Sequence, residues 1–120
     1  MAVVLVVEDE FLIRMNAADL VEQAGHTVIE ASNADDAILI LESRDDFEIV
    51  FSDVQMPGTM DGVRLLRLIR DRWPPIRLIL TSGKSLAEDA STPKGTRFLS
   101  KPYEFNQVQQ ALAAQPQSQA

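Results

Sequence analysis

The residues Val3-Val4-Leu5-Val6-Val7 form an unbroken apolar run that stops abruptly at Glu8-Asp9-Glu10. A strand with one face in water alternates apolar and polar residues. A run without alternation suits a strand covered on both faces, as in a parallel sheet clothed by helices. Such a sheet needs more strands and crossover helices between them, and the chain supplies both. Four further short runs read as strands: Val28 to Ala31, Ile49 to Ser52, Leu78 to Thr81 and Phe98 to Ser100.

Helical spacing fills most of the intervals. Ile13, Ala17, Leu20 and Ala24 lie on one stripe, with Gly25 placed to close the helix. Ser32 or Asn33 is suited to cap a second helix carrying Ala34, Ala37, Ile38 and Leu41, and Asp61 a third carrying Val63, Leu65, Leu66 and Ile69. Trp73-Pro74-Pro75 ends that third helix, and Trp73 is expected to pack under the proline corner. Phe105 to Ala114 forms the last helix, with Val108, Ala111 and Leu112 facing inward. The interval Gly83 to Arg97 differs. Its apolar positions are only Leu86, Ala87 and Ala90, and it contains Pro93 and Gly95, so the helix expected there is short or disordered. The order of elements argues for an α/β fold, a five-stranded parallel sheet wound on both faces with right-handed crossovers.

Size and charge bound the function. A chain of 120 residues fits one domain and has no room for a second, functionally separate one. We divide it into a domain over 1–115 and a polar tail over 116–120. The formal charge of -7 repels nucleic acid and anionic lipid, so neither is an expected partner. With no cysteine there is no disulfide framework and no thiolate metal site. No signal pattern and no span-length apolar segment occurs, and a cytoplasmic location is expected. His26 stands alone in a turn and is expected to be exposed.

Open α/β sheets bind ligands outside the carboxyl ends of their strands, where strand order reverses. Glu8 and Asp9 follow the first strand, Asp53 the third, Thr81-Ser82 the fourth and Lys101 the fifth, so all fall on that one edge. Singly, each has a structural explanation. The acids favour a helix N-terminus, Asp53 suits a turn, and Lys101-Pro102 suits an exposed corner. Together they form a constellation that structure alone does not call for. Clustered carboxylates repel unless a cation sits among them, and hard oxygen donors without His or Cys select Mg²⁺ or Mn²⁺. One carboxylate oxygen left free beside such an ion is an aspartyl nucleophile for phosphorus, with Lys101 placed to neutralise the transferring group.

The strings Leu5-Val6-Val7-Glu8-Asp9, Ser52-Asp53-Val54-Gln55-Met56-Pro57-Gly58 running into Met60-Asp61-Gly62, Thr81-Ser82-Gly83 and Phe98-Leu99-Ser100-Lys101-Pro102 resemble the receiver domain of two-component response regulators. The resemblance covers nearly the whole chain and implies a flavodoxin-like sheet of order 2-1-3-4-5. It implies that Asp53 accepts a phosphoryl group from a histidine kinase or phosphotransfer protein in a Mg²⁺-dependent reaction. Asp9, Asp53 and the backbone carbonyl of Gln55 would be the metal ligands, with Glu8 acting through water. Ser82 and Lys101 would serve the phosphoryl oxygens, and Ser82 and Phe98 the conformational switch toward an unknown downstream protein. The resemblance also implies a cis bond before Pro102. With the length of 120 residues, the expectation is a stand-alone receiver without an output domain, a monomer or weak dimer with no enzymatic activity beyond its own phosphorylation and dephosphorylation. Two departures bear on output: Gly83 stands where Ala is usual, and the following interval is short.

Three other readings fit less well, and the complete set of acid pair, Asp53 and Lys101 argues against one of them, a degenerate receiver used only for docking. A small Mg²⁺ phosphatase with an aspartyl nucleophile usually carries a second carboxylate two residues on, where this chain has Gln55. A nucleotide or flavin binder would need a glycine-rich loop after the first strand, where Glu8-Asp9-Glu10 would repel phosphate.

Overall fold

The computed structural model describes residues 2–56, 58, 60–83 and 92–113. Five parallel strands, β1 (Val3–Val7), β2 (Thr27–Ala31), β3 (Ile49–Asp53), β4 (Arg77–Ser82) and β5 (Arg97–Ser100), form one sheet in the order β2-β1-β3-β4-β5. The described helices are α1 (Phe11–Gln23), α2 (Ala34–Ser43), α3 (Gly62–Arg72) and α4 (Phe105–Ala113). The short helix expected between Gly83 and Arg97 falls mainly on residues 84–91, and the polar tail on 116–120. Both lie outside the described residues.

Two of the described helices start on side-chain caps. Asn33 caps α2 by accepting the Asp36 N–H at 2.8 Å, and Asp61 caps α3 by accepting the Arg64 N–H at 2.9 Å. Gly25 follows α1 at φ +96, a conformation in which a β-carbon is strained. The proline pair Pro74-Pro75 lies just past the end of α3.

The sheet carries a core on each face. Leu5, Val50, Leu78 and Leu80 meet Ala37, Leu41, Leu65, Leu66 and Ile69 of α2 and α3 on one side. Val4, Val6, Phe51 and Ile79 meet Ala17 and Val21 of α1 and Val108 and Leu112 of α4 on the other. Full burial of such branched side chains contributes about 2 kcal/mol each. This explains why the central strands show no alternation: both of their faces are interior.

Two peripheral expectations can be compared with the structure. Trp73 is half-buried against the α2/α3 core, and Arg72 stacks on its ring at 4.4 Å. His26 is not simply exposed: it is half-buried, and its Nδ1 accepts the Ala2 N–H at 2.9 Å. The partner lies 24 residues away, beyond the reach of a local reading of the turn.

Candidate metal and phosphoacceptor site

Strand register brings the chemistry together. β1 ends at Val7, opposite Ala31 on one side and Ser52 on the other, and the Glu8 N–H continues the ladder to the Ala31 carbonyl at 3.1 Å. β3 ends at Asp53, opposite Thr81, and the exit from it is held by the Val54 N–H to the Thr81 carbonyl at 2.8 Å. Ser82 pairs with Ser100, and the next N–H, that of Lys101, reaches the Ser82 carbonyl at 2.7 Å. Four neighbouring strands therefore release Glu8, Asp53, Ser82 and Lys101 at one level. The peptide before Pro102 is cis.

At the centre lies the Lys101 ammonium. Its Nζ is 3.0 Å from Glu8 Oε1 and 3.2 Å from Asp53 Oδ1. Glu8, Asp53 and Ser82 are buried, Lys101 is half-buried, and Asp9 is exposed at the mouth. Burial pushes the Glu8 carboxyl above the usual carboxylate range, and the bonds from Lys101 and from the Glu10 N–H only partly oppose this. Burial alone would lower Lys101. The hydrogen bond to Glu8 and the charge of Asp53 reverse that and raise it, so the lysine is held as ammonium.

Carboxylate oxygens of Glu8, Asp9 and Asp53 all lie within 4.8 Å of one another. Among the described residues, three carboxylates against one ammonium leave net negative charge, and every donor in the set is hard oxygen. The residues present therefore fit a small hard divalent cation such as Mg²⁺ and offer nothing to a soft one.

The remaining candidates sit around this cluster. Gln55 lies two residues past Asp53 on the exposed loop before α3. Phe98 is half-buried on β5 and packs against the core shared by α2 and α3. Two neighbours went unseen in the sequence. Arg14 donates from Nη1 to the Glu8 carbonyl at 2.9 Å and from Nε to Glu30 at 3.1 Å, tying the acid turn to β2. An arginine one turn into the helix after an acid pair is the signal that could have found it. Tyr103 is buried with its ring edge-on to Phe51 at 5.7 Å, and burial, with the charges of Glu8 and Asp53, pushes its phenol well up.

A doubly wound parallel sheet that carries an acid pair, a buried aspartate and a lysine at its switch-point edge has the architecture of a receiver domain. The chain belongs to the response regulator receiver domain family, whose sequence model matches residues 4–113. It is similar to sensor kinase CckA of Brucella abortus, 41% identical over 113 residues, covering 89% of this chain and 12% of that protein. It is similar also to response regulator protein FleR of Pseudomonas aeruginosa, 36% identical, with 86% of this chain and 22% of that protein covered. The chain thus spans less than a quarter of either relative. Among solved structures, response regulator TrrA of Thermotoga maritima, in complex with Mg²⁺ and BeF, superposes with a TM-score of 0.85 at 25% identity, covering 93% of this chain and 96% of that one. Among the described residues no helix is long and apolar enough to cross a membrane.

Proposed function

We propose that Asp53 accepts a phosphoryl group in a Mg²⁺-dependent reaction and that the chain is a phosphorylation switch. The observation that carries this is the buried Asp53 carboxylate, 3.2 Å from the Lys101 ammonium and within 4.8 Å of two more carboxylates. The complex of TrrA with Mg²⁺ and BeF supports the same chemistry here. Asp9, Asp53 and the Gln55 carbonyl would hold the ion, with Glu8 through water. Bound Mg²⁺ supplies positive charge beside the phosphoryl oxygens.

In the transfer, a free Asp53 oxygen forms the new P–O bond while the bond from phosphorus to the donor breaks. That is the P–N bond of a phosphohistidine or the P–O bond of acetyl phosphate, and the leaving group takes the electron pair. Lys101 exchanges part of its contact with Asp53 for a phosphoryl oxygen, and Ser82 donates a hydrogen bond to another. That rearrangement, passed to Phe98 on β5, is the switch.

The donor is a histidine kinase or phosphotransfer protein, and the receiver of the signal is another protein. Phe11, Leu12 and Met15, exposed on the first turns of α1 beside the acid pair, give a protein donor an apolar surface. The switching unit is 1–115, with 116–120 a tail, working in the cytoplasm as a monomer or weak dimer without nucleic acid or membrane. A phosphatase reading lacks support, because Gln55 stands where its second carboxylate would be.

The test uses acetyl phosphate with Mg²⁺ and intact mass. One phosphoryl group should add to the parent and none to Asp53→Asn, and Asp9→Ala should lose Mg²⁺ binding. Labelling that persists in Asp53→Asn, or that ignores Mg²⁺, would remove Asp53 from this role.

A further inference from the structure

The first turn of α3 rests directly on the backbone of Asp53. The Gly62 N–H donates to the Val54 carbonyl at 2.9 Å, so the loop that leaves the sheet after Asp53 returns to its own starting point. Val54 is held from the other side by the Thr81 carbonyl at 2.8 Å. A β-carbon on Gly62 would lie 2.9 Å from the Asp53 carbonyl carbon and from the Val54 Cα, and closer still to the Asp53 carbonyl oxygen. All three are main-chain atoms, which cannot rotate aside. Gly62 has no positive φ, so what demands glycine here is space and not backbone conformation.

We infer that Gly62 is a positioning residue: the seat of the first turn of α3 on the Asp53–Val54 peptide sets where the Asp53 carboxylate and the Gln55 carbonyl stand relative to Lys101 and the acid pair. Any side chain at 62 must lift α3 or press on that peptide until ordinary contact, about 3.5 Å, is restored. The peptide is poorly placed to yield toward the sheet. The Asp53 carbonyl also accepts the Ser52 hydroxyl at 3.0 Å, and Ser52 is itself buried. The displacement therefore passes to the side chain and to the loop beyond. The distance from Lys101 to Asp53 and the spacing of the carboxylates are the quantities it would disturb. The two residues where the loop enters α3 are matched devices: Asp61 caps the helix through Arg64, and Gly62 lets the capped turn come down onto the strand exit.

The inference rests on the proposed role of Asp53 and is tested so that the two can fail separately. Gly62→Ala is compared with Ile69→Ala, a buried α3 position away from the seat, at a temperature where both are folded by near-UV circular dichroism. A displacement of about 1 Å at a reacting group costs up to about 100-fold in rate. Gly62→Ala should therefore slow acetyl phosphate labelling by at least about tenfold and raise the Mg²⁺ concentration for half-maximal labelling by a similar factor. Ile69→Ala should leave both within about twofold. Amide shifts on Mg²⁺ titration read the same geometry without any phosphoryl chemistry.

If Gly62→Ala does not fold, Asp61→Ala tests the same seat by loosening the turn, and should raise the Mg²⁺ requirement several-fold. Parent-like labelling and Mg²⁺ response in the folded Gly62→Ala, or in Asp61→Ala when that stands in, would overturn the inference. So would equal impairment in Ile69→Ala. Labelling of the parent that survives Asp53→Asn would instead sink the phosphoacceptor role, while the Mg²⁺ titration would still judge the seat.

Discussion

The two edges of the sheet are built on opposite principles. At the amino edge, polar groups are paired to close the structure. His26 accepts from Ala2, the Thr27 N–H reaches the Ala2 carbonyl at 2.9 Å, and the Arg77 N–H reaches the Glu48 carbonyl at 2.9 Å. The Arg77 guanidinium adds a bond to the Leu112 carbonyl near the end of α4, also 2.9 Å. At the carboxyl edge, the buried Glu8 and Asp53 carboxylates share the Lys101 ammonium, and Asp9 adds a third carboxylate at the mouth. One edge spends its polar groups on stability. The other holds like charges close together, an arrangement that costs stability and fits a cation and an incoming anion.

Substitution at the carboxyl edge should therefore separate activity from stability in the sense opposite to the amino edge. Asp53→Asn carries the largest expected effect. Labelling should fall below detection, while resistance to urea without Mg²⁺ should rise by about 1 kcal/mol as the repulsion with Glu8 disappears. A fall in stability would break the comparison, because it would make Asp53 a structural residue.

Lys101→Met should act the other way. It strips the counter-charge from Glu8 and Asp53 and should cost about 2 kcal/mol, the penalty for an unpaired buried charge reduced by the partial exposure of the site. Added Mg²⁺ should then stabilise the variant more than the parent. Equal Mg²⁺ stabilisation of the two in urea melts would mean that the ammonium and the ion do not share the same negative charge.

The sheet and helices were legible because their signals are local. Val3–Val7 lacks alternation since both its faces are interior, and Asn33 and Asp61 announce the starts of α2 and α3. Convergence of Glu8, Asp53, Ser82 and Lys101 on one edge was legible from topology, since strand ends in a parallel sheet share a level. What the sequence hid depends on contacts between distant segments. Glu8 and Asp9 are adjacent and chemically alike, yet Glu8 is buried against Lys101, 93 residues away, while Asp9 faces solvent. The need for glycine at 62 comes from the Asp53 backbone, and no pattern within α3 discloses it.

A smaller effect sharpens the contrast from the amino edge. Arg77→Met removes the bond to the Leu112 carbonyl and should cost about 1 kcal/mol, with acetyl phosphate labelling unchanged within about twofold. Labelling that fell in proportion to stability would show that the two edges are coupled.

The smallest effect is a pH dependence at His26. Burial holds its pKa below the ordinary 6.5, with the positive charge of Arg77 acting in the same direction and Glu48 opposing. The neutral ring is also the form whose Nδ1 can accept from Ala2. As pH falls past 6.5, the unfolded histidine takes up a proton before the folded one does. The unfolded state then binds more protons, and folding stability declines. The contribution is thus complete above the ordinary histidine pKa and lost as pH drops through the lowered folded value. With the ring half-exposed, screening by water keeps it to about 0.5 kcal/mol or less. His26→Gln keeps an acceptor for the Ala2 N–H but cannot titrate. Urea midpoints of parent and variant should therefore run parallel from pH 8 to about 7 and draw apart below it, with the parent losing more. Curves that stay parallel down to about pH 5, where the carboxylates begin to take up protons, would show that the amino edge does not depend on a neutral His26.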